Sequence, residues 1–259
     1  MKQSIRERKR FEAQELMWNA MDVINGGDEQ KAAKLCHKAL GIYPDCVDAM
    51  TMLAEIKCER INDYVDDMRK AVEAGRRDLG PKCFEEDKGH FWGLIETRPF
   101  MRAMAQLAHA LRDWGASGRI DEAIEVFEEM LALNPNDNQG VRDPLVGGYL
   151  ARKRYDDARG LLTRYKEDCF AVHFWAQVLL AYATQSEAAA AKALKKAREV
   201  NQHVEVYLTG RKPRPRTRPG YYSLGDENEA LYCADTLWEA WKAHREAKWW
   251  LKGTHAAKG

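Results

Sequence analysis

The sequence predicts an all-α fold, a solenoid of stacked helical hairpins closed by a C-terminal capping helix. Three observations carry this. Small and turn-forming residues recur at fixed intervals: Ala20, Gly27, Ala32, Ala39 and Pro44 lie seven, five, seven and five residues apart. Gly118, Ala123, Met130 and Pro135 repeat the last three intervals, with Met130 in place of an alanine. Apolar residues follow the helical period almost throughout, and glycine and proline fall between the periodic stretches.

The elements follow in order. Ser4-Ile5-Arg6-Glu7 is a capping box that opens a helix running to Asn25-Gly26-Gly27, a stop signal. Asp28 caps a second helix that ends before Tyr43-Pro44. Asp45 is placed to cap a helix over residues 47–58, and Asn62 or Asp63 its partner, which is expected to end near Gly75. Residues 79–101 break the register with Gly80-Pro81 and Gly89. Thr97 then caps a helix with Pro99 in its first turn, where proline is tolerated. Gly118-Arg119 turns the chain into the most strongly patterned helix, with Ile124, Phe127 and Leu131 inward and Glu125, Glu128 and Glu129 toward water. Residues 141–150 pair with 155–165, Ala158 standing in the slot of Ala123. Residues 170–182 pair with 186–201, which Ser186 caps. That makes five hairpins. Residues 211–219 are basic and proline-rich and cannot be helical. Asp226-Glu227-Asn228-Glu229 opens a last helix to about Leu251, with Leu231, Ala234, Trp238 and Trp241 on one face. A stripe so aromatic must be covered, so this helix is expected to cap the open end of the stack or to lie in its groove.

Composition narrows the function. Lys+Arg 41 against Asp+Glu 40 leaves a net charge of +1, with no global pull toward nucleic acid or an anionic membrane. Charged residues make up 31% of the chain and mean hydropathy is -0.60, as for a soluble protein. The longest apolar run, residues 175–183, is interrupted by Gln177 and is too short to span a bilayer. Met1-Lys2-Gln3-Ser4 leads into a highly charged stretch, not the apolar core of a signal peptide. The chain is therefore expected in the cytoplasm. Its six cysteines include no CxxC pair and are expected as free thiols. Cys36, His37, Cys46 and Cys58 are wrongly spaced for the common zinc folds. No metal and no cofactor is expected.

The small-residue skeleton resembles the tetratricopeptide (TPR) repeat, a helix-turn-helix unit of about 34 residues. Residues Gly89-His90-Phe91-Trp92-Gly93, Glu96-Thr97-Arg98-Pro99-Phe100-Met101-Arg102 and Leu133-Asn134-Pro135-Asn136-Asp137-Asn138-Gln139-Gly140-Val141-Arg142 resemble bacterial TPR proteins of unassigned function. With residues 44–55 they are also distantly similar to the suppression-of-tumorigenicity (seven) family. The resemblance covers most of residues 30–250 and implies no chemistry. The order of elements divides the chain into N-terminal TPR-like repeats (1–78), an insert (79–101), further repeats (102–209), a basic connector (210–225) and a C-terminal amphipathic helix (226–259).

No glycine-rich phosphate loop, GxSxG or HExxH occurs, so no enzyme is expected. His90 and Cys83 lack an orienting third group. The polar residues that stand out lie at helix starts: Glu96, Arg98 and Arg102 open one helix, and Asn138, Gln139 and Arg142 the next repeat. Arg98 and Arg102, four apart, share one helical face. In a TPR stack the first helices line the concave side, so these starts are expected side by side. Two guanidinium forks beside amides suit a carboxylate, a phosphate or an acidic peptide. The alternative is structural: Glu96 pairs with Arg98 or Arg142, and Asn136 and Asn138 merely cap a helix. Met17, Met21, Met50, Met52, Met101 and Met104 read as core rather than as an adaptable groove. The expected function is a scaffold that binds a protein or peptide partner through the concave face. The alternative is an RNA-associated helical repeat using the Arg-rich connector and the arginines of the groove.

Overall fold

The computed structural model describes residues 4–114, 119–215, 217 and 220–256. Among these the chain is all-helical: α1 (Ile5–Asn25), α2 (Glu29–Ile42), α3 (Val47–Ile56), α4 (Ile61–Glu86), α5 (Arg98–Trp114), α6 (Ile120–Leu133), α7 (Arg142–Ala151), α8 (Tyr155–Arg164), α9 (Ala171–Thr184), α10 (Glu187–Val200), α11 (Val204–Leu208), α12 (Glu227–Thr236), α13 (Trp238–Ala243) and α14 (Arg245–Ala256). It divides into two compact units, residues 1–139 and 140–259.

In the first unit α1 pairs with α2, α3 with α4 and α5 with α6. Ser4 and Glu7 form the expected capping box, and Asp28 accepts from the Lys31 amide at 2.9 Å. The helical members of the small-residue skeleton are buried: Ala20, Ala32, Ala39, Ala123 and Met130. Gly27, Pro44 and Pro135, in the turns, are not. Gly118 lies outside the described residues. Around Ala20 and Ala39, the side chains of Met17, Cys36, Tyr43, Cys46, Ala49 and Leu53 make one continuous core. Met68, Met101 and Met104 are buried elsewhere in the unit, so methionine here mostly fills core; Met21 is exposed.

Two caps differ from expectation. Cys46 and Arg60 occupy the N-cap positions of α3 and α4, neither with a side-chain cap bond. Asp45 accepts from Arg77 at 2.8 Å and Asp63 from Arg60 at 2.8 Å. A nearby guanidinium has outcompeted the backbone amide for each carboxylate. Helix α4 also passes through Gly75 instead of ending there. A Cβ on Gly75 would lie 2.7 Å from Phe100 Cδ2, so the glycine lets α5 approach rather than stopping α4. The axis breaks at Gly80, whose φ is +70°, with Pro81 after it.

In the second unit α7 pairs with α8 and α9 with α10. Ser186 caps α10 by accepting from the Ala189 amide at 3.1 Å. Ala158, Leu162, Leu194 and Trp175 are buried as their periods predict. The short helix α11 has no clear periodic signal in the sequence. The expected single last helix is three, broken at Leu237 and His244. These three helices lie along α7 and α9, the first helices of the unit's two hairpins. A Cβ on Gly147 of α7 would sit 2.5 Å from the Thr236 carbonyl oxygen, so only glycine lets the end of α12 touch α7. Leu231, Cys233, Ala234, Leu237, Ala240 and Trp241 are all buried in this contact layer and its surroundings.

The six cysteines are all free. Burial pushes the thiols of Cys36 and Cys46 up to about 11, and that of Cys233 well above its usual range.

Candidate partner-binding face

Helix α5 starts on a knot of aromatic rings. Phe84 of α4, Phe91 and Phe100 pack together, with centroids 5.1 Å and 5.4 Å from Phe84 to the other two. The Arg76 guanidinium lies 5.3 Å over Phe100 and hydrogen-bonds Glu129 of α6 at 2.7 Å. Thr97, which is buried, does not cap α5 with its side chain. Its hydroxyl donates to the Leu94 carbonyl at 2.9 Å and to that of Phe91, cinching the loop before the helix. The Gly89–Phe100 motif is thus the joint that seats α5 against α4. This seating fixes the direction of the first turn of α5.

From that turn Arg98 and Arg102 project on one side. Arg98 Nε donates to the Trp92 carbonyl at 3.0 Å, and its guanidinium stands 5.7 Å over the Trp92 ring. Arg102 Nη2 bonds both carboxylate oxygens of Asp48 on α3, at 2.7 and 2.8 Å. Its side chain is still 43% exposed, against 13% for Asp48. One turn and more along, Gln106 donates to Glu55 at 2.7 Å. So α3 and α5, the first helices of successive hairpins, are laced side by side by two polar rungs. Glu96 is exposed and lends its carbonyl to Arg10 of α1 at 2.7 Å. Gln139 donates to the Met101 carbonyl at 3.2 Å, while its side-chain oxygen is buried without a partner. Asn138 next to it is exposed.

Of the six residues singled out by sequence, Arg98, Arg102 and Gln139 therefore converge on the first turn of α5. Arg142 belongs to the second unit. There its Nε bonds Asp168 at 2.6 Å and its guanidinium lies 5.4 Å over Tyr165. Asp48 and Trp92, which orient the two arginines of α5, escaped sequence reasoning. Asp48 is 54 positions from Arg102, and no local pattern reports so distant a pair.

The corresponding face of the second unit is filled by the chain itself. Fully buried Trp241 sits on α13, which packs on α7; α12 and α14 pack on α9. Trp238 is clamped between the Arg214 guanidinium, 3.8 Å from the ring centroid, and Lys248 Nζ at 4.3 Å. Glu229 is the tie-point. Its buried carboxylate accepts from Gly225 N at 2.7 Å, Asn201 Nδ2 at 2.9 Å and Ala171 N, in the first turn of α9, at 3.0 Å. Sequence assigned Glu229 only a capping box. It is instead the acceptor at the start of another helix.

The connector is not simply a solvated linker. Arg211 pairs with Glu205, Lys212 with Glu227 and Arg214 with Asp235. Arg216 and Arg218 lie outside the described residues. Cys83 is not activated by its surroundings. Burial, then a hydrogen bond with Asp87, pushes the Cys83 thiol up to about 11, opposite to activation. Among the described residues no group of three or more His, Cys, Asp or Glu is placed to hold a metal, and no helix is long and apolar enough to cross a membrane.

Residues 116–168 match the tetratricopeptide-repeat family model. The matched segment carries α6, α7 and α8. Among solved structures the chain is similar to TTC0263, a thermophilic TPR protein of Thermus thermophilus. Identity is 18%, covering 72% of this chain and 90% of that one, with a TM-score of 0.36. No curated protein matches the chain. The likeness to the suppression-of-tumorigenicity (seven) family finds no support in these comparisons.

Proposed function

We propose that the protein is a non-catalytic cytoplasmic scaffold that holds a protein or peptide partner on the first-helix face of its first unit. TPR repeats generally serve protein–protein interaction, and residues 116–168 carry that repeat. The observation that carries the finer reading is the contrast between two like faces. On α7 and α9 the chain lays its own helices α12–α14. On α3 and α5 the Arg102 guanidinium, held in place by Asp48, remains 43% exposed with Arg98 one turn away. A fork already oriented by one carboxylate can accept a second with little further ordering, which suits an acidic side chain or a C-terminal carboxylate. Gln139 reaches that turn through the Met101 carbonyl; Glu96 and Asn138 are offered as its exposed neighbours in sequence, and Arg142 only as a second-unit contact. Six free cysteines are in keeping with a reducing compartment. The described cations of the connector already face carboxylates, so an RNA-binding reading gains no support.

An array of acidic and C-terminal-carboxylate peptides tests this. Arg98→Ala and Arg102→Ala are expected to weaken binding about tenfold or more each, since a charge-assisted bond is worth roughly 1.5–3 kcal/mol. Stability should change by less than about 1 kcal/mol for Arg102→Ala, whose ion pair is open to water on the arginine side, and by about 1 kcal/mol for Arg98→Ala, which loses one hydrogen bond to the Trp92 carbonyl. Loss of helicity with several kcal/mol of destabilisation would make both arginines structural and end the proposal.

A further inference from the structure

Two aromatic faces lie away from the sites already described. The first is on α1. Phe11 and Trp18, each 51% exposed, meet edge to face at 6.1 Å, and Met21 beside them is 47% exposed. Alongside, a groove of about 360 Å³ opens between α1 and α2, lined by Glu12, Glu15, Leu16, Trp18, Lys38 and Ile42. This face exposes aromatic rings edged with carboxylates.

The second face is on α14. Arg245, Trp249 and Lys252 fall at i, i+4 and i+7, which places them on one line of the helix. Trp249 is 77% exposed, and both basic residues are exposed with it. The two faces match in length and sign. Phe11 to Trp18 and Arg245 to Lys252 each span seven residues, about 10 Å of helix. One is aromatic with Glu12 and Glu15 beside it and Lys38 across the groove; the other is aromatic on a basic line, with exposed Glu246 next to it.

We propose that α14 of one copy docks in the α1–α2 groove of a second copy. Trp249 packs against Phe11, Leu16 and Trp18, while Arg245 and Lys252 face Glu12 and Glu15. The contact uses different surfaces on its two sides, so it is head-to-tail and repeats from copy to copy, as a ring or an open chain. Trp and Arg are the residue types that most often dominate such contacts.

Light scattering on the full chain after size exclusion, over a concentration series, is the test. The wild type is expected to associate beyond the dimer, and less so at high salt. Trp18→Ala and Trp249→Ala are each expected to raise the dissociation constant at least tenfold while circular dichroism stays unchanged. The charge-reversed chains E12K/E15K and R245E/K252E should each remain monomeric alone and associate when mixed. A wild type that is monomeric at every concentration overturns the proposal. So does an assembly unaffected by Trp249→Ala or by R245E/K252E, which would place another surface, such as α1 on α1, at the contact. Should Trp249→Ala alter helicity, the mixing experiment still decides.

Discussion

Denaturant unfolding of the Glu229→Ala chain is expected to show a loss of about 3–5 kcal/mol in the second unit. Three N–H donors converge on this one buried carboxylate: the amides of Gly225 and Ala171 and the side chain of Asn201. Each buried donor left without an acceptor costs about 1–3 kcal/mol. The Ala171 amide is in the first turn of α9, where no intrahelical acceptor exists. Asn201 also donates to the Asp226 carbonyl at 2.8 Å, so the same residue that ends α10 is tied to the start of α12. Glu229→Gln should be milder, since it keeps an acceptor oxygen but turns an N–H₂ group toward donors. A change below about 1 kcal/mol in Glu229→Ala would mean that water replaces the carboxylate and that α12 is held by its apolar face alone.

The second large effect is acid sensitivity in the first unit. His109 on α5 packs edge-on against Phe127, ring centroids 5.4 Å apart. Burial, reinforced by Arg112 and opposed by Asp113, lowers its pKa from 6.5 to about 4. The unfolded chain therefore binds a proton in a range where the folded chain refuses it. This contribution to stability is whole above pH 6.5 and is lost as pH falls toward 4. The slope is about 1.4 kcal/mol per pH unit, or roughly 3 kcal/mol in all. Burial lowers His173 and His244 of the second unit as well, so both units are expected to weaken in the same direction. Thermal melts between pH 7.5 and 4 check the assignment. His109→Leu should remove a distinct share of the pH dependence, and an unchanged profile in that variant would show that His109 is hydrated and titrates normally.

What the sequence disclosed, and what it withheld, divides along the range of the contacts. The five hairpins were legible because they depend on near-neighbour constraints: alanine where two helices touch, a cap such as Ser4, Asp28 or Ser186, and a period of apolar residues. Most of the failures involve partners far along the chain, though Asp63 with Arg60 and Arg98 with Trp92 are local pairs that the helical period does not report. Gly75 looked like a stop but serves as a seat for Phe100. Asp45 and Asp63 looked like caps until an arginine claimed each. The last helix looked continuous, but its breaks at Leu237 and His244 let three short rods follow α7 and α9. At the candidate site the arginine pair of α5 was visible from its spacing. Asp48 and Trp92, which decide where those guanidiniums point, were not. The need to cover Trp241 was legible in the aromatic stripe, but nothing local could say that α7 supplies the cover.

Placing Cys233 inside the layer between α12 and α7–α9 gives the molecule a built-in chemical clock. Thiol reagents attack the thiolate, and this thiol is both screened and reluctant to ionise. Its labelling half-life therefore measures how often that layer parts. Exposed Cys58 and Cys169 react early and set the zero of the same time course.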